Sequence, residues 1–343
     1  MNTRFPAEWE RQSGLLLTWP HPETDWRPIL HEVEPVFAEI ALHAGHDQIV
    51  IIACHDQAHS RHVAGMLEPH GLPPGRFRFY LAPSNDSWAR DHGPISVWMD
   101  NRPQLLDFKF NGWGNKYPAD LDNRITALMH QSGAFGDTIL QTIDFVLEGG
   151  SIETDGQGTL LTTWSCLSAP GRNPGLTKAA IENKLRQYLN VRHFLWLEHG
   201  HLQGDDTDGH IDTLARFVDQ KTILYVSSND LDNPNHTALQ AMAEELQDFR
   251  REDGRRYRLI ALPAPVIRNG NGELLPASYA NFLIINHAVL VPVYGIAMDS
   301  MALEIFNQCF VGRKIIGINC RPLIQQNGSL HCVTMQLPAG IVP

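Results

Sequence analysis

Short apolar runs separated by polar stretches recur along the whole chain. They are "GLLLTW" (14–19), "QIVIIAC" (48–54), "RFRFYLA" (76–82), "QLLDFKF" (104–110), "GTLLTTW" (158–164), "KTILYVS" (221–227) and "RKIIGI" (313–318). Their length and their β-branched or aromatic content predict strands. Between them lie segments with helical spacing. Residues 26–43 place Ile29, Val33, Val36, Phe37 and Ile40 on one face, and residues 174–189 start at Pro174 and align Ile181, Leu185 and Leu189. Residues 234–249 and 298–311 read the same way. Strands therefore alternate with helices, which predicts a mixed α/β fold. No linker, low-complexity tract or composition break divides the chain, so one domain spanning 1–343 is expected.

Composition narrows the classes. A formal net charge of -11 argues against a nucleic-acid partner, whose phosphates it would repel. The most apolar long segment, 279–298, carries Asn281, Asn286, His287 and Pro292. It reads as two buried strands meeting near Asn286 and His287, and no membrane association is expected. The N-terminal stretch lacks the apolar core of a secretion signal. Five scattered cysteines, with no C-x-x-C pair, fit a reducing cytoplasm better than a disulfide framework.

Four segments carry candidate chemistry. In "HGHLQGDDTDGHIDTLARF" (199–217), a strand over 208–218 would project Asp208, His210 and Asp212 from one face. Burying that face is costly unless it binds something. A solvated polar edge and a metal site that adds His199, His201, Asp205 and Asp206 are the alternatives, though no tight ligand signature such as H-E-x-x-H is present. In "NDSWARDHGP" (85–94), Asp91 stands at a strand entry, and an exposed or half-buried Trp88 beside it suits an organic cation. A structural Arg90–Asp91 pair is the plainer reading. In "FVLEGGSIETDGQGTLLTTW" (145–164), Asp155-Gly156 marks a hairpin and Glu148 interrupts its first strand before two glycines. A buried Glu148 needs a partner, and a structural Glu–Arg pair would also serve.

The fourth segment is "QQNGSLHCVTMQLP" (325–338), where Cys332 begins a strand after the Asn327-Gly328 turn. Cys54 and Cys309, by contrast, look like small buried hydrophobes. Strand alternation would turn His331 away from the thiol, so a base must come from elsewhere, with His210 the best placed. A cysteine, a histidine, a glutamate and several aspartates together suit a guanidinium. Carboxylates match its forked donors while a thiolate attacks the central carbon.

The motifs "FPAEWERQSGLLLTWPH", "WARDHGP", "FNGWGNKYP", "LEGGSIETDGQGTLLTT", "DTDGHID", "SYANF" and "GSLHCVT" occur in this order almost end to end. The chain resembles the agmatine deiminase and Porphyromonas-type peptidylarginine deiminase family of the pentein superfamily. That resemblance implies a single-domain α/β propeller of five ββαβ-like modules around a pseudo-fivefold axis. It implies Cys332 as nucleophile, His210 as general acid and base, and Glu148 as its charged partner. Asp91 and Asp212 would grip the guanidinium, Trp88 and Trp113 would line the channel, and Asp206 would meet a distal amine. No metal or cofactor is implied. The substrate would be a small guanidino cation, foremost agmatine, with peptidylarginine or another guanidino compound as the alternative; a homodimer is compatible with this. A metal-dependent hydrolase centred on 199–212 and a non-catalytic binding protein are the competing classes. The sequence departs from the family pattern at Gln325-Gln326-Asn327, Thr213 and His287, around the site and not at its catalytic positions.

Overall fold

The computed structural model describes residues 3–343. One unit recurs in it: two antiparallel strands, a helix, and a third strand parallel to the second. Ile95–Met99, Arg102–Lys109, the helix Asp122–Gln131 and Ile139–Val146 form one such unit. Ile152–Thr154, Thr159–Thr163, the helix Lys178–Leu189 and His193–Leu197 form the next. Ala215–Asp219, Thr222–Ser227, the helix His236–Asp248 and Arg258–Pro263 follow. Then come Leu283–Ile284, Ala288–Val293, the helix Met298–Cys309 and Lys314–Asn319.

The remaining unit is split between the two ends of the chain. Thr334–Pro338 pairs antiparallel with Gln12–Thr18, which lies parallel to Ile49–Cys54 across the helix Leu30–Gly45. A further helix, Gln57–Leu67, leads to Phe77–Leu81, parallel to Ile49–Cys54. These five sheets are the modules expected of the α/β propeller.

Burial explains the pattern. Middle strands such as Ala288–Val293 are sandwiched, so they read as continuous apolar runs. Helices bury one stripe: Leu30–Gly45 inserts Val33, Val36, Phe37 and Ile40, all on the predicted face. The helix predicted from Pro174 starts later, because Thr177 caps it by accepting a hydrogen bond from the Ala180 N–H. It stops at Asn190, which adopts the left-handed conformation.

Three local expectations fail, each at a loop that carries chemistry. Residues 208–214 are not strand: Asp208 has a φ of 67°, a 3₁₀ turn covers Ile211–Thr213, and the strand begins at Ala215. Cys332 lies in a turn ahead of Thr334–Pro338, so the alternation argument about His331 does not apply. Glu148 follows its strand instead of interrupting it, and introduces the 3₁₀ turn Gly149–Ser151. The Asp155-Gly156 hairpin and the two strands near Asn286 and His287 form as expected. Among the described residues, no helix is long and apolar enough to cross a membrane.

Candidate active site

The turns at the inner ends of the modules bring five of the predicted side chains together. Asp91 comes from the short helix Ala89–His92, and His210 and Asp212 from the 3₁₀ turn. Glu148 comes from the strand end before Gly149, and Cys332 from the last turn. All five are buried. His210 lies between two carboxylates, with Nδ1 3.7 Å from Asp91 Oδ1 and Nε2 3.6 Å from Glu148 Oε2. The Cys332 thiol lies 3.8 Å from Asp212 Oδ2 and 3.2 Å from the Asn281 side-chain nitrogen. Asp212 Oδ1 has no hydrogen-bond partner within the protein.

Close packing fixes this arrangement. The Gly150 N–H donates to Asp91 Oδ1 at 3.0 Å, and a Cβ on Gly150 would stand 2.6 Å from His210 Nδ1 and 2.8 Å from that oxygen. Only glycine permits the approach. The Trp113 indole N–H donates to Asp91 Oδ2 at 3.0 Å, from a backbone in the left-handed region (φ 54°). That strained conformation for a bulky residue points the indole at the carboxylate.

Charges in the cluster are strongly coupled. Burial, with help from Asp212 and Glu148, pushes the Asp91 carboxyl up to about 6, and His210 pulls against it. Burial opposes the charged form of His210, but Asp91, Cys166 and Glu148 outweigh it and hold the imidazole well above its ordinary pKa. Burial and the anions of Asp212 and Asp91 lift the Cys332 thiol well above its ordinary value. The cluster therefore holds a neutral Cys332 thiol and a His210 imidazolium among carboxylates, an arrangement that suits a cation.

Glu148 satisfies both of its sequence-based readings. Arg172 Nε donates to its two oxygens at 3.0 and 2.8 Å, so it is a buried Glu–Arg pair, and its other neighbour is His210. Burial favours the protonated acid, but His210 and Arg172 prevail and keep its pKa low.

A narrow pocket leads to Cys332 and Asp91 between Trp88 and Trp113. Trp88 is buried, not half-exposed, and Gly328 packs on its ring. Asp206, Asp86 and Asp25 line the same pocket, with Tyr117 and Asn327 beside them. Asp206 Oδ2 accepts from the Tyr117 hydroxyl at 2.8 Å and from the Asn327 amide at 3.1 Å. Burial pushes Asp86 up to about 6, and Asp25 adds to the shift.

The run 199–212 does not converge on a common centre. Asp208 binds Arg172 at 2.6 Å and Lys116 at 2.8 Å, turned away from the His210 and Asp212 it was expected to accompany. Asp205 closes its own loop through Thr207 and Gly209, and His199 contacts Glu245. Among the described residues, His210 joins one trio of metal-type ligand atoms, with Glu148 and Cys166, and there Arg172 already holds both Glu148 oxygens.

Sequence reasoning missed several partners. Arg172 stands in "GRNPG", a segment with no local sign of its role. Asn281 and Glu8 lie in "SYANF" and "FPAEWERQ", motifs whose buried polar residues were the available signal. Cys166 is a buried thiol beside His210.

Fold and site together define a pentein-type α/β propeller hydrolase that acts on guanidino C–N bonds. The model of the Porphyromonas-type peptidyl-arginine deiminase family matches residues 4–338, and the chain belongs to that family. A solved structure from Porphyromonas gingivalis, titled "Putative Arginine Deiminase", is 50% identical and covers 100% of both chains, with a TM-score of 0.93. The agmatine deiminase of C. jejuni, solved as a cysteine-to-serine variant with substrate bound, is 34% identical over 99% of this chain and 97% of its own, with a TM-score of 0.91. A Selenomonas ruminantium relative named "Putative agmatine deiminase" is 33% identical over 98% of this chain and 95% of its own length. At family level the reaction is guanidino deimination.

Proposed function

We propose that this chain hydrolyses agmatine to N-carbamoylputrescine and ammonia through a covalent intermediate on Cys332. The observation that carries this reading is the distribution of acids along one pocket. Asp91 and Cys332 line the inner end, with Asp212 behind the thiol at 3.8 Å; Trp88 and Trp113 form an apolar neck, and Asp25, Asp86 and Asp206 line the rest. Such a pocket suits a cation at each end of an aliphatic chain. A free α-carboxylate at the mouth would meet three acids and be repelled.

The chemistry follows from the neighbours of the thiol. The arriving guanidinium is held by Asp91 and by the unpaired Asp212 Oδ1, and its charge draws the thiol toward thiolate. Sulfur adds to the guanidinium carbon, and His210 gives its proton to the departing nitrogen, releasing ammonia and leaving an S-alkylthiouronium. His210, now neutral, takes a proton from water as the hydroxide adds to the same carbon. The C–S bond then breaks as the added hydroxyl gives its proton to the departing sulfur, the urea leaves, and the proton that the thiol released to solvent on activation ends on ammonia as ammonium. Glu148, 3.6 Å from His210 Nε2, stabilises the imidazolium at both ends of the cycle.

One observation favours a second substrate, peptidylarginine. A neighbouring groove lined by Pro28, Ile29, Glu32, Arg321 and Gln325 shares Asp25 and Gln326 with the mouth and could seat a longer chain. Steady-state ammonia release from agmatine, free arginine and an arginine-containing peptide separates the readings. Agmatine should have the highest kcat/KM, and a preference for the peptide would replace it with the second reading.

A further inference from the structure

The floor of the pocket is one residue thick at two places. Asp91 and Cys332 line the substrate pocket, and the residues just before them, Arg90 and His331, line a second, narrow cavity. Behind the catalytic residues lies a buried network. Arg216 donates to Glu8 at 2.8 Å and to Glu153 at 2.7 Å, while Arg90 Nη2 stands 3.7 Å from Glu8. His331 joins this network to the front: Nε2 is 2.7 Å from Glu8 Oε2, and Nδ1 is 2.8 Å from Asp212 Oδ2.

Counting protons locates the charge. Each of these two short N···O contacts requires one hydrogen between its atoms. Asp212, Glu8 and Glu153 are three acids facing only two guanidiniums, Arg90 and Arg216, so neutrality needs one further positive charge or one protonated acid. Burial and the Glu8 anion push the Glu153 carboxyl up to about 7, yet its hydrogen-bond partners are all donors, Arg216 Nε and the Phe217 N–H at 3.1 Å, which favours the carboxylate. Both ring nitrogens of His331 face carboxylate oxygens, which suits the doubly protonated ring. Burial, with the guanidiniums of Arg216 and Arg90, lowers the His331 pKa, and Glu8 and Asp212 pull against it. What favours the charged ring is the pair of short contacts to two carboxylates.

We propose that His331, as an imidazolium clamped by Glu8, is a positioning residue that keeps Asp212 ionised and turns its free Oδ1 toward the guanidinium. This rests on Asp212 being a guanidinium ligand, as proposed above. The groups facing the His331 ring are Glu8, Asp212, Arg216 and Arg90, with Glu153 next beyond Arg216 and His210 beyond Asp212. Without the imidazolium, the Asp212 carboxyl rises. The doubly ionised binding form is then lost to two protonations in place of one as pH falls, and the acid limb of kcat/KM steepens.

The decisive measurement is agmatine binding by calorimetry between pH 5 and 8 on Cys332→Ser and on Cys332→Ser with His331→Gln, alongside kcat and KM of His331→Gln alone. A charge-assisted hydrogen bond of ordinary strength predicts KM and Kd raised about ten- to hundredfold. Below about pH 6, where Asp91 already takes up a proton, the loss of binding should steepen as Asp212 takes up a second, with kcat less affected. Glu8→Gln should move both in the same direction by less, and it carries the test if His331→Gln does not fold. A folded variant with unchanged Kd and unchanged acid limb overturns the proposal. A Cys332→Ser chain that binds neither agmatine nor an arginine peptide sinks the substrate reading instead.

Discussion

Replacing Arg172 with Met isolates what the buried pair beneath His210 does. The side chains of Arg172 and Glu148 are fully buried. The guanidinium donates to both Glu148 oxygens, to Asp208 at 2.6 Å and to the Thr207 carbonyl at 2.8 Å. Methionine keeps the volume and removes every donor. A buried ion pair broken on one side typically costs about 3–5 kcal/mol. Glu148 can escape the uncompensated charge by taking a proton, which at pH 7 costs about 3.7 kcal/mol for a carboxyl of ordinary pKa. The sign is specific. The wild-type Glu148 pKa is depressed, so its pair contributes stability above the ordinary carboxylate range and loses it as pH falls. In Arg172→Met burial is opposed by His210 alone and the Glu148 pKa rises; where the acid takes up its proton, the cost shrinks by about 1.4 kcal/mol for each pH unit lowered. Denaturant unfolding at pH 7, 6 and 5 reads this as a destabilisation that narrows toward acid. Adding Glu148→Gln should abolish the pH dependence. A destabilisation that stays flat from pH 7 to 5 would refute the reasoning, because the loss would then be one of packing.

Other expectations follow from the same geometry. Because Asp91 sits near 6 and must be anionic to hold a cation, KM for a guanidino substrate should rise as pH falls below about 6. Asp91→Asn should raise KM at every pH and remove that step while changing the melting temperature little; normal kinetics in this variant would count against its role. Gly328→Ala would place a Cβ 2.1 Å from Trp88 Cζ3, so the ring must shift into the neck. An overpacking cost of about 1–3 kcal/mol and a higher agmatine KM should appear, and unchanged tryptophan fluorescence with unchanged KM would argue against it. Cys332→Ala should release no ammonia, whereas prolonged EDTA treatment of the native chain should leave activity intact; the opposite pair of results would restore the metal-hydrolase reading.

Legibility followed locality. Apolar runs such as 48–54 and 221–227 predict strands that the fold forms as Ile49–Cys54 and Thr222–Ser227, because periodicity is a local property that burial only confirms. The side chains proposed for catalysis stand in short motifs, and it was the resemblance of those motifs to the family that assigned their roles. Misreadings arose where polar residues have special backbone geometry. Asp208 at positive φ ends any strand over 208–218, and Cys332 sits in a turn one step before one. Partners across the chain were out of reach. Arg172 meets Glu148 from 24 positions away, and His331 meets Glu8 from 323 positions away, so no window of sequence contains either pair.

The pairing of Thr334–Pro338 with Gln12–Thr18 has a consequence for how the enzyme comes into being. Cys332, the proposed nucleophile, sits in the turn just ahead of Thr334–Pro338, a strand that must find a partner made far earlier in the chain. Four modules can assemble on the ribosome while Gln12–Thr18 keeps one edge open, and an open edge is prone to mispairing. Closing so long a loop is entropically late, so it should be among the last folding events. Deiminase chemistry is thereby withheld from the nascent chain, and a polypeptide released before residue 332 carries the acids and the imidazole without the thiol. The ring closes and the reaction becomes available in one event.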